Sequence, residues 1–452
     1  MDLKVRAGLV GFGEVNTPRE VLERKISAAF TEVKTLGWDI DYAGLVTDDA
    51  EYSQADSAVG ILSNKKYDLI VLCVAGWIPT HAVIRVIESF RYIPMIVWGL
   101  TGWMENGRLV TTADQAGTTA LCFTMRELGF RLRYVYSTIN KNSPLKKIDS
   151  FGRAAMAVSR LRDIRIGTMG YRDMLLYSTM FDGLTLRREI GPEVEPFEML
   201  EIVRAAEEAK ASDVNKIVDY CLSHWHFIKP ADHSLLENGA RYYLALDKKS
   251  KERHFEAMTL IDVDGMKKLE GFPPAMVFML LADLTGVCTT PENDVMGNVT
   301  QLLVRALTGQ DAHYMEFYEF FENSVLIGVP DYIPSSASDG EVYVLPTAFG
   351  LLSESLLNVS KVRGGRVTLV RLLQSGGRFK LHVALGEAKQ PAPWEECGWT
   401  PPAPQLPSLE VFLDCKVDEF AQKISSQHTI IAYGDITDSL TQWAKLLNIE
   451  II

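Results

Sequence analysis

Two carboxylates and an imidazole, far apart along the chain, are the side chains best suited to chemistry. Glu292 and Asp294 stand in "TTPENDVMGN", directly after the nearly uncharged run "GFPPAMVFMLLADLTGVC", with no Lys or Arg beside them. Burying a bare charge is costly, so each needs either water at a surface turn or a cation brought from elsewhere. Glu316 follows among the aromatics of "HYMEFYEFFENS", and His428 lies in "SSQHTII". Brought together, they would suit a hard divalent ion of Mn2+ type with positions left open for substrate oxygens. The alternative needs no ion. Glu292 and Asp294 would cap the helix "VMGNVTQLLVRAL", and His428 would pack within a strand. Spacing alone leaves both readings open.

Two other constellations carry less. "GLVGFGEVN" begins like a dinucleotide loop but lacks the third glycine of G-x-G-x-x-G, and a tight strand-to-helix turn accounts for it. His224 and His226 in "SHWHF" would share one face of a strand and could bind metal there. On a helix they diverge, no carboxylate is close in sequence, and packed or solvated histidines explain them.

The elements that must position these groups follow from hydrophobic period. "KVRAGLVGF", "IDYAGLVT", "YDLIVLCVAG" and "IPMIVWGL" read as strands. Between them, "TPREVLERKISAAFTEVKTLG", "QADSAVGILSNKK" and "HAVIRVIESF" read as helices, the first with Thr17 as its cap and Pro18 at its first position. Near-continuous apolar strands alternating with helices mean a parallel sheet covered on both faces. The pattern Arg-x-Gly-x-x-Gly-aromatic occurs at Arg6–Phe12 and again at Arg165–Tyr171, so a second domain of similar construction is expected. There "PFEMLEIVRAAEEAKASDVNKIVDYCLSHW" reads as a long helical stretch and "RHFEAMTLID" as a strand. The apolar run before Glu292 reads as a buried strand, which would place Glu292 at the carboxyl edge where such sheets hold ligands.

From about residue 310 the runs "SVLIGV", "EVYVLP", "RVTLVRLLQ" and "RFKLHVALG", separated by Gly-Gly pairs and a Pro-rich segment, read as antiparallel strands. The expected fold is α/β: two doubly wound parallel-sheet (Rossmann-like) domains followed by an antiparallel β-barrel-like C-terminal domain. The expected boundaries are 1–160, 161–310 carrying Glu292, and 311–452 carrying Glu316 and His428.

With 452 residues, 47% hydrophobic and 23% charged, the chain has the composition of a globular protein. A net charge of −12 argues against nucleic acid as a partner. No stretch has the length of uncharged apolar residues that a membrane span needs. The opening "MDLKVRAGLVGFG" is too polar for a secretion signal, and six scattered cysteines form no CxxC pair. A cytoplasmic chain with reduced thiols is expected.

The segments "RIGTMGYRDM", "TTPENDVMGNVTQLLVRALTG", "YMEFYEFFENSVLIG" and "SSQHTIIAYGDITDSLTQWAKLLNIEI" resemble the L-fucose isomerase / L-arabinose isomerase family of metal-dependent aldose–ketose isomerases, sulfoquinovose isomerase-like members included. The resemblance covers most of the chain from about residue 160, and the N-terminal third matches only in style. It implies that Glu292, Glu316 and His428 hold Mn2+ (or Co2+ or Mg2+), and that Glu292 and Glu316 are the acid/base pair. It implies a free sugar as substrate, L-fucose, D-arabinose, L-arabinose or a 6-modified hexose, and a homo-oligomer in which one subunit's N-terminal domain helps close another's site. On this reading Asp294 orients Glu292 or holds the helix start. Arg172 and Arg19 could meet an anionic tail, and Trp77, His81 and Asp331 are further candidate contacts, with plain packing an equal account of Trp77. Two departures bear on the identity of the sugar. Val329 or Pro330 stands where the family has a histidine, and Gln427–His428 replaces a double histidine. The competing expectation is a non-catalytic sugar-binding or regulatory protein of the same fold.

Overall fold

The computed structural model describes residues 3–329, 332–348, 353–391 and 407–452. Pro330, Asp331 and Cys397 lie outside these residues. The chain divides into two compact units, Met1–Ser159 with Asp438–Leu446, and Arg160–Thr437 with Leu447–Ile452.

In the first unit, β1 (Arg6–Phe12), β2 (Asp39–Val46), β3 (Leu69–Val74), β4 (Met95–Gly99) and β5 (Leu132–Tyr136) form one parallel sheet in the order β2-β1-β3-β4-β5. Every residue of β3 and β4 is buried, as their unbroken apolar sequences require. Helix α1 (Arg19–Lys34) buries Leu22, Ile26, Ala29 and Val33 at helical spacing. The cap expected from Thr17 is not made: Pro18 occupies the N-cap position and no side chain bonds to the first turn. The glycine turn after β1 serves close packing, because a Cβ on Gly13 would lie 2.4 Å from Leu22 Cδ2.

The second unit opens with the repeated Arg-x-Gly pattern. Its strands β6 (Arg165–Met169), β7 (Glu193–Phe197), β8 (Phe255–Leu260) and β9 (Cys288–Thr290) form a parallel sheet ordered β9-β8-β6-β7. The motif-bearing strand is thus flanked by its next and next-but-one strand, as in the first sheet. The long helical stretch is two helices, Met199–Glu207 and Ala211–His224, the first opened by a capping box between Glu198 and Glu201. The apolar run before Glu292 is also not the strand expected. It forms helix α2 (Ala275–Leu280), a π turn over Leu281–Thr285, and a left-handed Gly286 with φ 67° before the short β9. All of α2 is buried, and a run buried on every side shows no period that separates helix from strand. Pro273–Pro274 just ahead favour a helix start.

Six antiparallel strands then close into a barrel: β10 (His313–Phe320), β11 (Ser324–Gly328), β12 (Gly365–Ser375), β13 (Arg378–Lys389), β14 (Ser408–Leu413) and β15 (His428–Tyr433). Their order is β12-β15-β10-β11-β14-β13, and the β12–β13 hairpin completes the ring. One core connects Met169, Phe197 and Leu246 of the sheet region with Val367, Leu409 and Ile431 of the barrel, so the sheet and barrel segments form a single compact unit. Among the described residues no helix is long and apolar enough to cross a membrane. Cys73, Cys122, Cys221 and Cys288 are buried free thiols, and Cys415 is an exposed one.

Candidate metal centre

The carboxyl ends of three parallel strands build the turn that carries Glu292. Glu292 and Asn293 both adopt left-handed backbone, with φ 61° and 54°, a conformation that non-glycine residues hold only when their surroundings impose it. The Glu292 N–H donates to Asp262 Oδ1 at 2.7 Å, just beyond β8. The Asn293 N–H donates to the Leu260 carbonyl at 3.0 Å. The Asn293 amide donates to Met169 O at 2.8 Å and Thr168 Oγ1 at 3.1 Å, at the end of β6. Asn293→Ala should therefore destabilise the second unit by about 2 kcal/mol, from two lost buried hydrogen bonds and a residue less tolerant of left-handed backbone. Urea unfolding would measure it, and an unchanged midpoint would show that the turn holds itself.

The barrel supplies the other two groups. Glu316 of β10 and His428 of β15 are direct cross-strand partners, so their side chains emerge side by side on one face. His428 Nε2 lies 3.2 Å from Glu292 Oε2 and 3.4 Å from Glu316 Oε1. One ligand atom from each of Glu292, Glu316 and His428 lies within 4.8 Å of the other two. The His428 ring is fully buried, yet neither nitrogen has hydrogen-bond geometry to the oxygens around it. A buried nitrogen facing two carboxylates without a hydrogen bond suits a divalent cation held by Glu292, Glu316 and Nε2.

Asp294 does different work. It is the N-cap of α3 (Val295–Thr308), accepting the Gly297 N–H at 2.8 Å. Tyr314 donates to it at 3.0 Å, and Arg371 of β12 grips both oxygens at 2.6 and 2.9 Å, with both side chains of the ion pair buried. Its Oδ2 lies 3.3 Å from His428 Nδ1, the far side of the ring from Glu292. This is the position from which a carboxylate orients a metal-binding imidazole.

Charges in this pocket act strongly because it is dry. Burial pushes the Glu292 carboxyl's pKa up; the His428 charge opposes that, and Glu316 and Asp262 add to it. Burial also disfavours the Asp294 charge, but Arg371 and His428 outweigh it and hold that carboxyl well below the usual carboxylate range. For His428 burial acts downward, whereas Asp294, Glu292 and Glu316 push the imidazole up to about 10. In the metal-free protein a proton on His428 stands in for the cation's charge.

The other expected contacts are placed as follows. Arg19 ion-pairs with Glu23 at 2.7 Å, His81 packs edge-on against Tyr52, and Trp77 is 40% exposed, all within the first unit. Arg172 stacks over Tyr177 in the second. Val329 is buried at the end of β11, its N–H donating to the Pro407 carbonyl. His224 stacks on Tyr220 and His226 lies 3.2 Å from Glu341, so this pair forms no shared site.

Sequence reasoning missed Arg371, Asp262 and Tyr314. Arg371 had a signal, a lone charge inside the apolar strand "RVTLVRLLQ", since such a charge must find a partner. Gln427, noted only as a substitution, donates to Glu292 Oε2 at 3.3 Å and lies 3.3 Å from Ser178 Oγ.

An α/β protein with a closed barrel and a two-carboxylate, one-imidazole cluster at the end of a parallel sheet belongs to the class of candidate divalent-metal proteins. Comparison narrows it. The chain is a distant relative of an L-arabinose isomerase from Shouchella clausii, 24% identical over 325 residues. The match covers 68% of this chain and 64% of that protein's length, less than two thirds of the relative. No protein-family profile matches the chain.

Proposed function

We propose that this protein is a divalent-metal-dependent aldose–ketose isomerase acting on a free sugar. The convergence of Glu292, Glu316 and His428 is the observation that carries the reading, and the distant relation to an L-arabinose isomerase supports it. A bound divalent ion would act as a Lewis acid toward the substrate's carbonyl and neighbouring hydroxyl oxygens. The chain's own groups do the rest. Glu292, whose buried carboxylate has a raised proton affinity, takes the proton from C2 of the open-chain sugar and returns it at C1 through an enediolate. Glu316, half-buried, serves as the second carboxylate, exchanging a proton with the sugar oxygens. Asp294 holds the His428 ring in place, and the barrel and α3 exclude water behind it. Asp294, buried and held by Arg371, is not a substrate contact. Arg172 and Asp331, with Arg19, Trp77 and His81 from another subunit's N-terminal domain, remain the candidates, with Mn2+ the preferred ion and a homo-oligomer in the cytoplasm as the working assembly.

The test is incubation of the purified chain with Mn2+ and a panel of L-arabinose, D-arabinose, L-fucose and sulfoquinovose. Ketose should form with at least one sugar, vanish with EDTA and return when Mn2+ is restored. Sugar binding without turnover, indifferent to chelator, would instead establish a non-catalytic sugar-binding protein.

A second expectation concerns pH. Because the metal-free site keeps His428 protonated up to about pH 10, an incoming ion must displace that proton. Apparent Mn2+ affinity should rise by about tenfold per pH unit between about pH 6.5 and 8.5. Calorimetric titration in buffers of different ionisation enthalpy would also detect the released proton; a flat profile would mean His428 is not a ligand.

A further inference from the structure

A second polar cavity lies in the same unit, on the other side of β10. Strand alternation sends His313 and Glu316 to opposite faces, so the strand that supplies Glu316 also lines this separate site. It is a cleft open to solvent, of about 530 Å3, lined by Gln310, Asp311, His313, Ser336, Arg363 and Tyr433, among others.

Two of these groups have unmet demands. His313 is 1% exposed, and both its ring nitrogens are buried with no hydrogen-bond partner. Its polar neighbours do not supply one, for Tyr433 meets it with a ring edge, centroids 5.5 Å apart. The Arg363 guanidinium lies 4.1 Å above the Tyr433 ring, and among the described residues no carboxylate pairs with it. The cavity's own acid is already answered: Asp311 accepts from Arg305 at 2.9 Å and from Ser336 at 3.0 Å. Arg363 thus holds a positive charge flat on an aromatic face. Beside it stands a neutral imidazole that can donate one hydrogen bond and accept another, because burial pushes its pKa down to about 4. A planar guanidinium takes oxyanions two oxygens at a time, and the imidazole and the Gln310 amide suit hydroxyls.

We propose that this cavity binds a small polyol carrying an oxyanion, such as a sugar phosphate or sugar acid, with the anion on Arg363 and a hydroxyl on His313. The site is distinct from the metal cluster and needs no metal.

The experiment titrates the full-length protein with inorganic phosphate and with glycerol 3-phosphate, in EDTA so that no metal ion captures the anion, at constant ionic strength set with chloride. Saturable thermal stabilisation is expected, with glycerol 3-phosphate binding more tightly than phosphate, and glycerol alone without effect. Arg363→Ala, at an exposed position, should fold normally and weaken both ligands by at least about tenfold; Glu292→Gln should leave both affinities unchanged. Stabilisation no greater than chloride gives, affinity retained in Arg363→Ala, or an equal loss in Glu292→Gln would each overturn the proposal, the last by moving the ligand to the metal centre. Because none of these readouts depends on turnover, failure here is separable from failure of the isomerase reading.

Discussion

Glu292→Gln is expected to lower aldose–ketose turnover by about 10²–10⁴-fold, the usual contribution of a positioned proton-transfer group. The substitution keeps the side chain's size and leaves the turn's anchors in place, since those are made by the Glu292 and Asn293 backbone and the Asn293 amide. It removes a buried charge that its surroundings disfavour, as burial, Glu316 and Asp262 all push the carboxyl's pKa up. The metal-free variant should therefore unfold at the same temperature as the parent or slightly above it. Stabilisation by added Mn2+ should shrink, because a ligand oxygen has become a weaker neutral one. Exchange of the substrate's C2 hydrogen with solvent deuterium should fall together with turnover. A folded variant isomerising at near the parental rate would remove Glu292 from the role of base.

The second large effect concerns stability. Arg371→Met should cost about 3–5 kcal/mol, because it strands Asp294 as an uncompensated charge in a fully buried setting. Loss of a contact alone would cost far less. The double variant Asp294→Asn with Arg371→Met should recover a large part of that stability, since the neutral amide's oxygen can still accept from Gly297 while its NH2 donates to the Tyr314 hydroxyl. Urea unfolding of parent, single and double variants would show the pattern through their midpoints. In the double variant Mn2+ affinity should fall by about 10–100-fold, because His428 Nδ1 loses a charged orienting partner. A single variant as stable as the parent would mean the pair contributes little to the fold.

The buried pair also answers why two acids follow an apolar run without a base in sight. They have different partners. Asp294 meets a cation from a strand 77 positions later, and only Glu292 is left facing an imidazole and a second carboxylate. The reading in which both residues merely cap a helix describes one bond of Asp294 and nothing of Glu292.

Much of this could be read from residue order because it depends on local period and composition. The strands of the first sheet, the helices between them, the repeated Arg-x-Gly motif and the β-rich final third all carry patterns within a window of a few turns. Glu292, Asp294, Glu316 and His428 could be singled out by type, since carboxylates beside aromatics and apolar runs are conspicuous. Spacing left a metal site and plain capping both open, and only the family resemblance selected Glu292, Glu316 and His428 as ligands. The run before Glu292 could not be assigned locally, since a segment buried on all sides is equally apolar as helix or strand. Barrel closure brought Glu316 opposite His428, the ends of β6 and β8 bent the chain into left-handed backbone at Glu292, and β12 delivered Arg371 to Asp294. Each of these joins residues whose separation along the chain says nothing about their distance, because it is set by strand register and by packing, which only the folded chain as a whole can satisfy.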